Sequence, residues 1–181
     1  MKKEIEVKAR LKDDAVVLEK IKELGGVMSE PIHQTDTVYT KIVGDVDTYL
    51  QNDHFVRIRK KGDGSFIFTV KKPLLKKVLT KAEHETKVAD GVELEQALFL
   101  MGYQISNRVI KTRRTAQIDG FEICIDAVEG LGAFIEIEKV SEEDEVEIRK
   151  ELDAFLSSLG IAPEDEVFEG YDILTLRKQF A

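Results

Sequence analysis

Charged and apolar residues alternate along several segments of this sequence, and this alternation limits its fold more than any other feature. In residues 3–11, the charged residues Glu4, Glu6 and Lys8 alternate with apolar ones. Side chains two residues apart lie on the same face of a β-strand, and neighbouring side chains lie on opposite faces. The segment is therefore predicted to be a strand with one charged and one apolar face.

Pairs of like charges two residues apart recur later in the chain. They are Arg57 with Arg59, Glu83 with Glu85, Lys111 with Arg113, and Glu136 with Glu138. A single strand of this kind is also typical of an antiparallel sheet whose polar face is merely solvated. So many like-charge pairs favour a charged face that binds ions, because clustered carboxylates need a cation and clustered basic side chains need an anion. A metal-bound polyphosphate would meet both needs.

Turn and helix signals divide the chain into short elements. The alternation predicts strands at 3–11, 33–41, 54–61, 65–72, 79–88, 104–117, 121–128 and 133–140. Helical spacing and capping residues predict helices at 14–24, 91–101, 142–159 and 171–179. Most links have the length of hairpin loops, as at Gly62-Asp63-Gly64 and Asp119-Gly120. We expect an α+β fold with an antiparallel sheet of about eight strands, large enough to curl or to close. If it closes into an eight-stranded antiparallel β-barrel, its charged face would point inward and helices would cover its apolar outside.

Length and charge exclude several classes of protein. The 181 residues contain neither a repeat nor a linker rich in Gly, Ser or Pro, which predicts one domain over residues 1–181. With 27 basic and 35 acidic residues, the net charge of −8 argues against nucleic-acid binding. No uncharged run exceeds the 12 residues from Gln96 to Asn107, so we expect no membrane contact. Cys124 is the single cysteine, which fits the cytoplasm.

Carboxylates are the most numerous candidate metal ligands. Their hard oxygen atoms suit Mg²⁺ or Mn²⁺, whereas one Cys and three His residues without ligand spacing argue against zinc. The chain has no P-loop and no motif for a nucleophilic Ser or Cys. The basic segment 71–77 fits either a solvated loop or a lid over an anion site. The expected partner is a small molecule that carries a polyphosphate, and a homodimer stays open.

A series of motifs extends this pattern to about residue 140. The first is Glu4-Ile5-Glu6-Val7-Lys8, a Glu-x-Glu-x-Lys signature near the N-terminus. The others are Gln34-Thr35-Asp36-Thr37-Val38-Tyr39, Arg57-Ile58-Arg59, Thr69-Val70-Lys71, Glu83-His84-Glu85, Lys111-Thr112-Arg113, Asp126-Ala127-Val128-Glu129-Gly130-Leu131-Gly132 and Phe134-Ile135-Glu136-Ile137-Glu138. In this order they resemble the CYTH superfamily, the triphosphate tunnel metalloenzymes, which include class IV adenylyl cyclases and thiamine triphosphatases.

The resemblance implies an eight-stranded antiparallel tunnel that holds a triphosphate together with divalent metal. The residues implied to bind the triphosphate are Lys8, Arg57, Arg59, Lys71, Lys111 and Arg113. Those implied to bind Mg²⁺ or Mn²⁺ are Glu4, Glu6, Asp126, Glu136 and Glu138. The candidate catalytic residues are Glu4, Glu6, Lys8, Glu83 and Glu85, where the role of the last two stays open.

Three functions fit this pattern. The first is metal-dependent cleavage of a phosphoanhydride bond in inorganic tripolyphosphate or a nucleoside triphosphate. The second is the class IV cyclase reaction, which converts ATP to cyclic AMP and pyrophosphate. The third is binding of polyphosphate or nucleotide without turnover. Class IV cyclases carry a His-Phe pair before the signature and animal thiamine triphosphatases use a Trp, and the sequence shows neither. We therefore expect hydrolysis first and cyclisation second.

Overall fold

The computed structural model describes residues 3–73 and 81–181, which contain eight strands and five helices. The strands are β1 (Lys3–Leu11), β2 (Ile32–Thr40), β3 (Phe55–Lys61), β4 (Phe66–Pro73), β5 (Lys81–Val88), β6 (Gln104–Ile118), β7 (Phe121–Val128) and β8 (Gly132–Ser141). The helices are α1 (Asp14–Glu23), α2 (Val46–Tyr49), α3 (Gly91–Leu100), α4 (Glu145–Ser158) and α5 (Tyr171–Gln179), with a 3₁₀ turn at Pro163–Asp165.

The predicted elements agree closely with this structure. The eight strands lie within two residues of the expected bounds, and helix α4 begins three residues later than predicted. Helix α2 was missed because its four residues are too few to show helical periodicity, although Asp45 caps it by accepting a hydrogen bond from the Thr48 amide. Residues 79–80 of the predicted fifth strand and 74–77 of the predicted loop or lid lie outside the described residues.

Hydrogen bonds join the strands into one eight-stranded sheet with the order β1-β8-β7-β6-β2-β3-β4-β5. The pairs β1–β8, β7–β8, β2–β3 and β3–β4 are antiparallel, as is β4–β5. The predicted α+β class with an eight-stranded antiparallel sheet is therefore confirmed. Within residues 3–73 and 81–181, no helix combines the length and low polarity needed to cross a membrane.

The chain divides into two compact units. The first unit contains the chain up to Pro31 together with Thr112–Phe168, and the second contains Ile32–Lys111 with Glu169–Ala181. Strand β6 belongs to both, because the boundary falls between Lys111 and Thr112. The prediction of one domain over residues 1–181 stays a prediction.

The core of the first unit lies on the apolar face of its strands. Alternation places Ile5 and Val7 of β1, with Ile135 and Ile137 of β8, on the face opposite the charged residues. Helices α1 and α4 cover this face with a stripe of buried residues, Val17, Ile21, Ile148, Leu152 and Leu156. Burial of this surface favours the fold by roughly 25 cal/mol per Å² of apolar area. Because side chains alternate along a strand, burial of the apolar face also places the charged residues on the opposite face.

The second unit repeats this arrangement with different helices. Val56 and Ile58 of β3 contact Leu98 of α3 in a buried cluster, and the charged side chains of β3 take the opposite face. A separate cluster joins Val38 of β2 to α2 and to Leu176 of α5. Packing of Val56 and Ile58 leaves the opposite face of β3 for its charged pair, whereas Val38 lies two residues from Asp36 and so shares the face of that carboxylate.

Candidate functional site

Three glutamates of the first unit lie together on its charged face. Glu4, Glu6 and Glu138 each offer a carboxylate oxygen, and these oxygens lie within 4.8 Å of one another. Glu4 and Glu6 share one face of β1, and the strand register places Glu6 opposite Glu138 of β8. Among the residues described, this is the group of three or more metal-type ligands that the structure assembles. The structure thus brings together three of the five predicted metal ligands.

Gathering these carboxylates has an electrostatic cost. Burial, together with the charges of Glu6, Glu4 and Glu136, raises the pKa of Glu138 to about 8. A carboxyl group with this pKa holds its proton at neutral pH unless a cation arrives. Oxygen ligands of this kind suit a hard divalent cation such as Mg²⁺ or Mn²⁺. The donor set and its excess of negative charge therefore fit a divalent metal.

Beside this cluster, the first unit contains carboxylates that are already paired with cations. Lys8 is 5% exposed, and its Nζ lies 3.2 Å from Glu6 Oε1 and 3.0 Å from Glu136 Oε1. Arg113 donates from Nε and Nη2 to the two carboxylate oxygens of Asp126, at 2.7 and 2.5 Å, and also contacts Glu136. Burial would lower the pKa of Lys8, but Glu136 and Glu6 outweigh it and raise that pKa.

The two predicted metal ligands outside the glutamate cluster are also paired with basic side chains. Asp126 is fully buried and Glu136 is 6% exposed, and both lie against basic side chains. They belong to the same charged face as the glutamate cluster, and Lys8 links the two sets because it also lies 3.2 Å from Glu6. Their role as metal ligands, and the role of Lys8 and Arg113 in binding phosphate, stay predictions.

In the second unit, basic side chains surround a buried carboxylate. Arg59 donates from Nε and Nη2 to Asp36 at 2.7 and 2.8 Å, and Arg57 Nη1 lies 3.6 Å from Asp36 Oδ2. Burial acts to raise the pKa of Asp36, but the Arg59 hydrogen bonds and the charges of Arg57, Arg59 and Lys111 lower it to about 2. Lys111 is 3% exposed, and its Nζ lies 4.8 Å from the centre of the Tyr171 ring.

The edge strand β5 adds two acids to this set. Lys71 Nζ lies 2.7 Å from Glu83, and Arg57 Nη2 lies 3.6 Å from Glu83 and 3.3 Å from Glu85. The register explains these contacts, because Lys71 of β4 is opposite Glu83 and Thr69 is opposite Glu85. The structure thus places Glu83 and Glu85 beside the predicted phosphate-binding residues. Their catalytic role stays a prediction.

Two residues of this set were absent from the predicted site. Asp36 was seen only as part of a motif, and Thr69, which is fully buried, accepts a hydrogen bond from Arg57 Nη2 at 3.0 Å. A signal for Asp36 existed, because it lies two residues from Gln34 and from Val38 along β2 and so shares one strand face with them. The partner of Asp36 could not be predicted from the sequence, because it is set by the register between β2 and β3, which places Arg59 opposite Asp36.

The charged faces of the two units carry complementary chemistry. The first unit assembles glutamates that fit a divalent cation. The second assembles basic side chains that fit an anion such as phosphate. The prediction that all these residues line one lumen concerns both units together and stays a prediction.

Comparison with known proteins identifies the family. The CYTH domain profile matches residues 2–171, so the chain belongs to the CYTH domain family. A protein of Methanocaldococcus jannaschii named "Putative adenylate cyclase MJ0240" is 31% identical over 173 residues, 93% of this chain and 95% of that protein. The family is generally metal-dependent, and the cyclase name of this relative supports, at family level, an enzyme that acts on a triphosphate.

Solved structures give the same fold. The PH1819 protein of Pyrococcus horikoshii OT3 matches with a TM-score of 0.83 and 28% identity, covering 97% of this chain and 99% of that chain. HpAC1 of Hippeastrum, for which a dominant triphosphatase activity is described, matches with a TM-score of 0.66 over 99% of this chain and 96% of that chain. At 15% identity, the likeness to HpAC1 shows the fold alone.

Proposed function

We propose that this protein is a Mg²⁺- or Mn²⁺-dependent hydrolase that cleaves a phosphoanhydride bond of a triphosphate. The observation that carries the proposal is the cluster of Glu4, Glu6 and Glu138 in a chain of the CYTH family. A divalent ion bound there would neutralise negative charge on the phosphate oxygens. Phosphoryl transfer depends on positioning and charge neutralisation more than on a protein nucleophile. The predicted site residues are charged side chains, which can supply both.

The chain's own residues would act in two ways. Glu4, Glu6 and Glu138 would hold the ion, since their oxygens lie within reach of a common point. The basic side chains would bind phosphate oxygens in the same way that Lys8 and Arg113 contact carboxylate oxygens in the structure. The products would be orthophosphate and the shortened polyphosphate or nucleotide.

The second candidate is the adenylyl cyclase reaction, which the name of the M. jannaschii relative favours. In that reaction the ribose 3′-hydroxyl of ATP replaces water as the nucleophile, and pyrophosphate leaves. The two reactions use the same charges on the triphosphate and differ in the attacking oxygen.

Product separation distinguishes these functions. The protein is incubated with ATP, and separately with inorganic tripolyphosphate, in Mg²⁺, Mn²⁺ or EDTA. Orthophosphate formed only with a divalent metal would support the hydrolase, and cyclic AMP with pyrophosphate would support the cyclase. Binding of tripolyphosphate without any product would favour the non-catalytic alternative. Absence of both binding and turnover would overturn the proposal.

A further inference from the structure

Arg57 of the second unit has two kinds of negatively charged neighbour. Asp36 is 6% exposed and is held by the two short hydrogen bonds from Arg59, and Arg57 Nη1 lies 3.6 Å from it. Glu85 is different, because its side chain is 45% exposed and its oxygen lies 3.3 Å from Arg57 Nη2. Asp36 is therefore buried and fixed, whereas Glu85 is solvated and more weakly held. A third acid, Glu83, lies 3.6 Å from Arg57 Nη2 but is held more closely by Lys71, at 2.7 Å.

The guanidinium of Arg57 also has hydrogen-bonding capacity to spare. Its Nε is buried and has no hydrogen-bond partner among the described residues. Its Nη2 is shared between Thr69 at 3.0 Å and Glu85 at 3.3 Å. A buried donor without an acceptor is costly, so an arriving oxygen anion would be favoured at Nε.

We infer that Asp36 is a positioning residue for phosphate binding and that Glu85 is a temporary counter-ion that the polyphosphate displaces from Arg57. The inference rests on the proposed function, since it takes Arg57 as a residue that binds phosphate. It also gives Glu85 a role that the sequence left open.

The physical argument is one of preorganisation. Asp36 and Arg59 lie opposite each other on adjacent strands, so their paired hydrogen bonds fix the Arg59 side chain and the charge beside Arg57 before any ligand arrives. Groups held in their binding geometry lose less freedom on binding. Releasing Glu85 breaks its contact with Arg57 at 3.3 Å and the hydrogen bond that it accepts from the Thr69 hydroxyl at 3.1 Å, and its carboxylate regains water. Loss of Asp36 should thus weaken binding, and loss of the Glu85 charge should strengthen it.

Two variants test this because they change the net charge equally. Asp36→Asn and Glu85→Gln each remove one negative charge near Arg57. If charge alone mattered, both would bind polyphosphate more tightly. We expect Asp36→Asn to bind inorganic tripolyphosphate about tenfold more weakly and Glu85→Gln about two- to threefold more tightly than the wild type. Isothermal titration calorimetry measures the tripolyphosphate affinity of each variant in EDTA and, at ice temperature, in Mg²⁺. Circular dichroism checks that each variant is folded.

Two further variants make the result specific. Asp36→Glu keeps the buried charge but displaces it by one methylene, so positioning predicts weaker binding, whereas a purely structural charge predicts wild-type binding. This variant also decides the matter if Asp36→Asn does not fold. In an Arg57→Gln background, Glu85→Gln should no longer tighten binding, because the displaced contact is gone.

The outcomes separate this inference from the proposed function. Tripolyphosphate binding by the wild type with equal affinity in Asp36→Asn, Asp36→Glu and Glu85→Gln would overturn the inference and leave the proposed function standing. Tighter binding by both Asp36→Asn and Glu85→Gln would also overturn it. No binding of tripolyphosphate by the wild type, with or without Mg²⁺, would overturn the inference, and together with no turnover of ATP or tripolyphosphate it would overturn the proposed function as well.

Discussion

The two units use the same strand pattern to build sites of opposite charge. In the first unit, carboxylates crowd around Glu138 and raise its pKa to about 8. In the second unit, basic side chains surround Asp36 and lower its pKa to about 2. The pKa of a carboxyl group is thus shifted in opposite directions on two strand faces that both arise from the alternation of charged and apolar residues.

The difference lies in strand register. Pairing of β1 with β8 places Glu6 opposite Glu138, so like charges meet. Pairing of β2 with β3 places Asp36 opposite Arg59, so opposite charges meet. A group of like charges is stabilised by an external ion, whereas a matched pair is already satisfied and can hold its neighbours in place. Register therefore decides which face needs a cation.

The largest expected effect comes from Glu138→Gln. Turnover should fall by about a hundredfold or more, because metal stabilisation of charge on the phosphates is weakened. In EDTA the melting temperature should be equal or higher, because repulsion among the glutamates is relieved. Orthophosphate release and thermal melting measure the two effects. Glu147→Gln, at an exposed position of α4, is the matched control. Near-normal turnover at limiting Mg²⁺ and Mn²⁺ would show that Glu138 is not a ligand.

Arg57→Ala tests the anion-binding side of the comparison. Tripolyphosphate with metal should raise the melting temperature of the wild type by mass action. The variant should lose most of this rise, because a charge-assisted hydrogen bond to phosphate contributes about 1.5–3 kcal/mol. Arg177→Ala, which removes an exposed arginine of the same unit, is the control. An unchanged rise in Arg57→Ala would mean that Arg57 is only a solvated strand residue.

Core substitutions test whether the two units unfold as one. Leu152 in the first unit is fully buried, and Leu98 in the second is 2% exposed. Replacement of either by Ala should lower the free energy of unfolding by about 2–5 kcal/mol through lost burial and a residual cavity. Under the single-domain prediction, both variants lower the same melting transition in calorimetry. Two transitions, each moved by one variant, would contradict that prediction.

The smallest effect is the pH dependence of stability in EDTA. The pKa of Glu138 is raised when folded, so its contribution is full below about 4.5 and is lost as the pH rises through about 8. The pKa of Asp36 is lowered, so its contribution is full above about 3.8 and is lost as the pH falls towards about 2. The melting temperature of Glu138→Gln should therefore be about 5 °C above that of the wild type at pH 9, and the two melting temperatures should be equal at pH 4. Equal melting at both pH values would refute the raised pKa.

Much of the fold could be predicted because the relevant signals are local. Alternation along β1 and β8 indicated both strands and which side chains share a face, and Asp13 caps α1 by accepting from the Ala15 amide. Family motifs likewise marked the residues of the candidate site. Helix α2 escaped because a single turn carries no periodicity, and its packing against the Val38 cluster depends on distant residues.

The sequence by itself determined the strands, their charged faces and the family to which the chain belongs. Only the tertiary structure decided which charges meet. Glu4 and Glu6 reach Glu138 across more than 130 positions of the chain. Lys8 contacts both Glu6 and Glu136, and Arg113 contacts Asp126. The physical reason is that alternation sets the direction of each side chain, while register between strands far apart in sequence sets its neighbours. Whether a carboxylate needs an external cation depends on those neighbours.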